Sequence, residues 1–287
     1  MGEIWATKHR PDMCDIVGQD NVKELASSLA NHMIFYSPQA GTGKTSLAYA
    51  LAKLHGLTLH VFNASSKKTR GIEFVEEELL PMSRTGNYKQ IFLLDEADQL
   101  TPAAQSALKG VIENSQGYFI LTCNDLSKIT VWLQSRCQVL EFKPISHDNI
   151  VSRLKVIADK EGLHVPLEHL KLISSAHEGD LRNSINALQF YSMHPKTLLD
   201  RLVDDTLNVQ LFLKLSFKEK DFENSHKMLV GRNVKNSVRS IFNYAMKSTA
   251  ASTSKLKIID ACVTTERDLI MGVNEDITLA NFVKLCQ

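Results

Sequence analysis

Five short runs in the first half of the chain are apolar throughout: MIFYS (33–37), LHVFNA (59–64), QIFLLDEA (90–97), YFILTCN (118–124) and VLEF (139–142). A strand with one wet face alternates apolar and polar residues, so runs without alternation must be covered on both faces, by helices over a parallel sheet. Helical patterns fill the stretches between the runs, which makes 1–143 a doubly wound α/β domain. Ligands of such sheets gather at the carboxyl ends of the strands, where the polar residues that follow each run fall.

After Pro144 the pattern is helical only. Ser146 caps a segment carrying Ile150, Leu154 and Ile157, and Pro166 and Gly179 punctuate two more, so 144–196 reads as a small three-helix lid. All seven prolines lie at or before Pro195, and from Lys196 onward only Gly231 and Gly272 interrupt the helical texture. The span 197–287 is therefore expected to be an all-helical domain. Val238, Ile241, Phe242 and Ala245 recur at helix spacing, as do Ile259, Cys262 and Val263. Most of these stripes belong to the bundle's own core, and part of the surface is left for self-association.

A length of 287 residues with 44% hydrophobic and 23% charged residues supports more than one core and excludes a disordered chain. The formal net charge of +1 excludes binding of nucleic acid through a whole-molecule basic field, so any such contact must rest on a local patch. Cys14, Cys123, Cys137, Cys262 and Cys286 are scattered, with no CxxC pair to grip zinc or cycle as a dithiol, and read as reduced thiols. The start MGEIWATKHRP has no apolar signal core and no apolar run reaches membrane-spanning length. The expectation is a cytoplasmic protein with no membrane partner, in the host cytoplasm if viral and nuclear if eukaryotic.

PQAGTGKTS, Pro38–Ser46, follows a predicted strand and opens a helix, which is the context of a phosphate-binding loop. Gly41 and Gly43 free the backbone to wrap around phosphate, and Ala40, Thr42 and Ser46 complete the lining. Helix N-terminal N–H groups face the anion, Lys44 adds a movable positive charge, and Thr45 offers its hydroxyl to Mg²⁺. Pro38 stands where the pattern GxxxxGK[ST] has its first glycine; that position only begins the turn. FLLDEADQL, Phe92–Leu100, is an apolar strand ending in two carboxylates. Asp95 suits Mg²⁺, directly or through water, and Glu96 suits orienting and deprotonating the attacking water. Asn124, at the end of the next strand, is placed to hydrogen-bond the γ-phosphate or that water, and Arg182, in the lid segment EGDLRNSINALQ, to fold down onto the γ-phosphate.

With these motifs in order, the sequence resembles AAA+ ATPases, and within them the small subunits of sliding-clamp loaders, as in replication factor C and its archaeal and T-even-like phage counterparts. WATKHRPDMCDIVGQD (5–20) looks like the family's opening segment, with His9 in place of the usual tyrosine. NASSKKTRGIEF, LDEADQLTPAAQSALKGVIE, LTCN, LQSRCQVLEF and GDLRNSINALQ follow in family order. The resemblance implies an α/β fold with an AAA+ P-loop NTPase domain on a parallel sheet, a small helical lid domain and an all-helical C-terminal collar that oligomerises. It implies an ATP hydrolase using ATP and Mg²⁺ to open and place a ring clamp. Its implied partners are a clamp-loader large subunit and further small subunits in a heteropentamer, the sliding clamp, and primer–template DNA.

The same resemblance puts Arg10, Pro11 and Val17 around the adenine and makes Arg136, in the SRC signature 135–137, an arginine finger reaching the γ-phosphate held by the neighbouring subunit. Arg136 follows the sensor strand, on the far edge from its own P-loop, which fits that role; its alternative is a structural pairing with a carboxylate such as Glu113. Lys67, Lys68 and Arg70, with Thr101 and Lys109, suit DNA phosphates, the alternative being a solvated basic loop. The segment Glu76–Asn87, with Leu79, Leu80, Pro81 and Met82 exposed on a helix end, is where the family touches its clamp. The readings set against this one are a non-hydrolysing structural subunit of the same complex and a hexameric AAA+ branch-migration motor.

Overall fold

The computed structural model describes residues 3–85, 89–205, 209–232, 234–248 and 252–287. Each apolar run forms a strand: β1 (Met33–Tyr36), β2 (Thr58–Asn63), β3 (Gln90–Asp95), β4 (Tyr118–Cys123) and β5 (Gln138–Glu141). All pair in parallel, in the order β2-β3-β4-β1-β5. Successive side chains of a strand point to opposite faces. Ile34, Phe92, Leu94, Phe119 and Leu121 accordingly enter one core, and Met33, Phe35, Ile91, Leu93 and Ile120 the other. Burial on both faces holds for β1, β3 and β4 but not for the edges, where Val61 of β2 is 42% exposed and Val139 of β5 37%. An edge strand has a neighbour on one side only and lies beyond the helices that cover the middle of the sheet.

The covering helices before and between the strands are α1 (Trp5–Lys8), α2 (Asp20–Ser27), α3 (Lys44–His55), α4 (Leu80–Arg84), α5 (Pro102–Asn114) and α6 (Val131–Arg136). The helical stretch that ends in α4 starts at Ile72 and is π-helical over Phe74–Leu79. There the expected exposure fails: Leu79 is fully buried and Leu80 and Met82 pack against the first core, leaving Pro81 as the exposed member of that set. Asn87 lies outside the described residues.

Beyond β5 come α7 (His147–Lys160), α8 (Leu167–Ala176), α9 (Leu181–Met193) and α10 (Pro195–Asp205). The Ser146 hydroxyl accepts from Asn149 N and caps α7, whose apolar stripe buries Ile150, Leu154 and Ile157. Asp180 caps α9 in the same way through Asn183 N. Gly179 turns at φ +94°, and a Cβ there would lie 3.0 Å from Pro144 Cβ, so only glycine fits between α8 and α9.

The chain divides into two compact units, Met1–Leu198 and Leu199–Gln287. After α10, the second unit holds α11 (Val209–Leu213), α12 (Phe222–Lys227), α13 (Val234–Lys247), α14 (Ser252–Ile270) and α15 (Glu275–Leu285), with no strand among the described residues. Its core contains Phe212, Val238, Ile241, Ala245, Cys262 and Phe282, with Phe242 packed against it. The buried face of α14 runs Ile258, Ala261, Cys262, Thr265, which turns Val263 outward at 62% exposure and corrects its place in the stripe.

Candidate active site

The strand order sets β3, β4 and β1 side by side, so their carboxyl ends deliver three loops to one place. From β1 the chain passes Ser37, whose N–H donates to Cys123 O at 3.2 Å, and turns through Gly41 (φ +68°) and Gly43 (φ +98°) into α3. Lys44, the first residue of α3, is buried, and its Nζ donates to Gln39 O (3.1 Å), Ser37 O (3.4 Å) and Asn124 Oδ1 (2.9 Å). The ammonium expected to be movable is thus folded back onto its own loop. Burial holds its pKa below the ordinary lysine value; Cys123 and then Asp95 oppose that shift, and Arg182 reinforces it. Ala40 is exposed, Ser46 is half-buried, and Thr42 is buried with its Oγ1 unpartnered.

The Thr45 hydroxyl donates to Asp95 Oδ1 at 3.0 Å. Two oxygens at this separation, one of them a carboxylate, suit a small hard divalent cation. The phosphate loop, with two glycines at positive φ and a buried lysine, suits a polyphosphate. Glu96 is exposed and takes the left-handed conformation (φ +59°, ψ +42°). Asp98, which no sequence motif marks, is buried with Oδ1 unpartnered, and it acts electrostatically on Lys44. Thr122 is likewise unmarked by any motif: its hydroxyl donates to Asp95 Oδ1 and accepts from Glu96 N.

The helices after β5 close on the loop within the same compact unit. Leu181 N donates to Gly41 O (3.2 Å) and Gln39 Nε2 to Glu178 O (2.7 Å), which brings exposed Arg182 close enough to act on Lys44. On the other side, Gln19 is buried and spans Thr42 O (3.3 Å) and Lys143 O (2.7 Å), tying the segment of Val17 to the phosphate loop. The Arg10 guanidinium lies 3.5 Å from the centre of the Tyr49 ring on α3, while Pro11 and Val17 are half-buried. His9 bonds to Glu161, the residue that follows α7, which also takes Lys8 at 2.6 Å.

Arg136 is not part of this cluster. It ends α6 just before β5, whose first residue pairs with Met33 and donates from Gln138 N to His32 O (2.8 Å). Strand β5 lies directly beside β1, which corrects the expected far edge. The separation is along the strands, with Arg136 at the amino end of the sheet and the phosphate loop at the carboxyl end, ~13 Å of strand away. Its guanidinium meets Glu113 Oε1 at 3.4 Å and sits 5.7 Å from the centre of the Trp132 ring. Both partners of the ion pair are exposed, so it contributes about 0–1 kcal/mol and is easily exchanged for another anion.

Lys67, Lys68 and Arg70 are exposed on the turn after β2. Thr101 N donates to Arg70 O (3.0 Å) and the Thr101 hydroxyl caps α5, so this turn and the start of α5 form one surface. Exposed Lys109 stands further along α5, 5.8 Å from the Trp132 ring.

A parallel sheet with a phosphate loop after β1, paired acids at the end of β3, a polar sensor position after β4 and a helical lid defines an AAA+ ATPase, and the ATPase family associated with various cellular activities (AAA) matches residues 33–145. Within that class, the chain belongs to the replication factor C small subunit family. The replication factor C small subunit of Archaeoglobus fulgidus is 32% identical over 303 aligned positions, covering 96% of this chain and 95% of that relative. That of Methanococcus vannielii is 30% identical, covering 98% and 97%. That of Haloarcula marismortui is 36% identical over a shorter span, 68% of this chain and 64% of the relative. Among solved structures, the Thermotoga maritima RuvB Holliday junction branch migration motor matches with a TM-score of 0.56 at 17% identity, over 78% of this chain and 86% of that one, a likeness of fold. Among the described residues no helix is long and apolar enough to cross a membrane.

Proposed function

We propose that this chain is the ATP-hydrolysing small subunit of a sliding-clamp loader, and that each of its sites is completed by Arg136 of an adjacent subunit. Three parts carry the work: a nucleotide-binding domain (1–143), a lid (144–196) and a helical collar (197–287) through which a large subunit and further small subunits assemble into a heteropentamer. The observation that carries the reading is the position of Arg136, exposed at the opposite end of the sheet from its own phosphate loop. A cation placed there serves a site on another chain.

Gly41, Thr42, Gly43 and Lys44 hold the phosphates of ATP, and Arg10, Pro11 and Val17 flank the base. Thr45 and Asp95 hold Mg²⁺, which supplies positive charge against the phosphate oxygens when bound. Glu96 takes a proton from the attacking water, Asn124 orients that water or the γ-phosphate, and Arg182 links the γ-phosphate to the lid. Asn124 now holds the Lys44 ammonium at 2.9 Å, so phosphate entry exchanges that bond for one to the ligand. Lys67, Lys68, Arg70, Thr101 and Lys109 face the backbone of primer–template DNA, which a net charge of +1 permits because the contacts are local and repeated by each subunit. The stretch around Pro81 meets the clamp.

The test is turnover by the assembled loader with clamp and primer–template DNA. Arg136→Ala is expected to bind ATP normally while losing ~10³-fold or more of assembly-dependent hydrolysis. Lys44→Ala is expected to lose nucleotide binding itself. Full DNA-stimulated turnover by the Arg136→Ala loader overturns the shared site.

A further inference from the structure

Thr122 stands one step past the last paired residues of β3 and β4, Leu94 and Leu121. It is 2% exposed, on the strand face that also carries Ile120, and it is the cross-strand neighbour of Asp95. A hydroxyl has one proton to donate and lone pairs to accept with. At Thr122 both are used, and both on the acidic pair: the proton goes to Asp95 Oδ1 and the oxygen receives Glu96 N–H at 3.1 Å. No other side chain among the hydrogen bonds of the described residues joins these two acids.

Each bond answers a need of its partner. Asp95 Oδ1 takes a hydroxyl from Thr45 on α3 and another from Thr122 on β4, so its carboxylate is oriented from two separate elements. Glu96 occupies the left-handed region at φ +59°, a conformation that costs a residue with a Cβ ~1–2 kcal/mol. Its backbone is fixed on both sides, at the N–H by Thr122 and at the carbonyl by Gln99 N (2.9 Å). That conformation sends the Glu96 side chain out of the strand into solvent, while Asp95 stays half-buried.

We infer that Thr122 is a positioning residue for ATP hydrolysis: one buried hydroxyl sets the metal-side carboxylate of Asp95 and the backbone from which Glu96 reaches water. The inference rests on the roles given above to Asp95 and Glu96. Groups that hydrogen-bond a metal-binding carboxylate from behind set its orientation and basicity, and their loss costs ~10–100-fold in metal affinity or activity. A threonine that merely filled the strand end would be replaced by valine at little cost, since valine keeps its shape.

The experiment compares Thr122→Val, Thr122→Ser and Glu96→Gln in the full assembled loader. Thr122→Val is expected to lower kcat ~10–100-fold with KM for ATP within ~2-fold, and to weaken Mn²⁺ binding in the presence of a non-hydrolysable ATP analogue, read by electron paramagnetic resonance, by a comparable factor. Thr122→Ser, which keeps the hydroxyl and loses only the methyl, is expected to restore at least about half of the wild-type kcat and the Mn²⁺ affinity. Thr122→Val turning over at the wild-type rate overturns the inference, as does Thr122→Ser falling as far as Thr122→Val. Should Thr122→Val fail to fold, Thr122→Ala replaces it in the comparison: a kcat and Mn²⁺ affinity ~10-fold or more below those of Thr122→Ser supports the role of the hydroxyl, and equal values in the two overturn it. Glu96→Gln at the wild-type rate sinks the reading of the site itself; an inactive Glu96→Gln beside a fully active Thr122→Val sinks only the role of Thr122.

Discussion

At Gly41 the backbone meets two demands at once. Its φ of +68° disfavours any side chain, and a Cβ there would stand 1.8 Å from Asp180 Oδ1 and 3.2 Å from Asp180 Cα. The carboxylate is held by its capping bond to Asn183 N, and the Cα belongs to the start of α9, so rotating one side chain does not clear the space. Gly41→Ala should therefore either distort the phosphate loop or push α9 and Arg182 away from it. The strain is ~1–3 kcal/mol, equivalent to ~5-fold to ~150-fold in nucleotide affinity. Titration with a fluorescent ATP analogue checks this, and Asp180→Ala in the same chain should recover only part of the loss, because φ and the Cα remain. Binding within ~2-fold of wild type by Gly41→Ala would show that loop and lid yield freely at this contact. The glycines, Lys44, Asp95 and Glu96 were legible in sequence because their spacing is local. Asp180, Gln19 and Thr122 were not, since each acts on a residue distant in sequence and only the fold makes them neighbours.

At the scale of elements, the strands were legible to within a residue or two, because burial on two faces leaves an uninterrupted apolar run. The helix ending in α4 misled: the exposure expected of Leu79 assumes the α-helical period, and the π-helical stretch Phe74–Leu79 carries more residues per turn, which rotates Leu79 into the core. The tie between the end of α1 and the residue that follows α7 was equally hidden, because it joins Lys8 and His9 to Glu161, more than 150 positions away. Glu161 there accepts from Lys8 and His9, and those bonds, Lys8 first, hold its carboxyl below the usual glutamate range. A carboxylate whose pKa is lowered by folding contributes stability above its unfolded pKa and loses it as pH falls through the folded value. Glu161→Gln should accordingly lower Tm at pH 7, and the gap to wild type should close as both are acidified below the ordinary glutamate range. Melting curves across that range check it; a gap that is constant with pH would mean that packing, and not charge, holds the first helix.

At the scale of the whole molecule, the arrangement is directional. The phosphate loop opens at the carboxyl end of the sheet and Arg136 projects at the amino end, beside Glu113 and Trp132. In the proposed assembly, a contact between these two different surfaces is heterologous and propagates from subunit to subunit, so each interface between two copies of this chain would join one loop to one arginine. The SRC triplet suggests the proposed role only through family likeness, since an arginine at a helix end has no local pattern that names its target. The direction makes a complementation experiment decisive. Lys44→Ala keeps an intact Arg136, and Arg136→Ala keeps an intact loop; assembled alone, neither has a complete site. Mixed in equal amounts before assembly, they should recover hydrolysis, because about one interface in four of a random arrangement pairs the good loop with the good arginine. If each chain used its own arginine, no arrangement of the two variants would contain a working site, and the mixture would stay as inactive as its components.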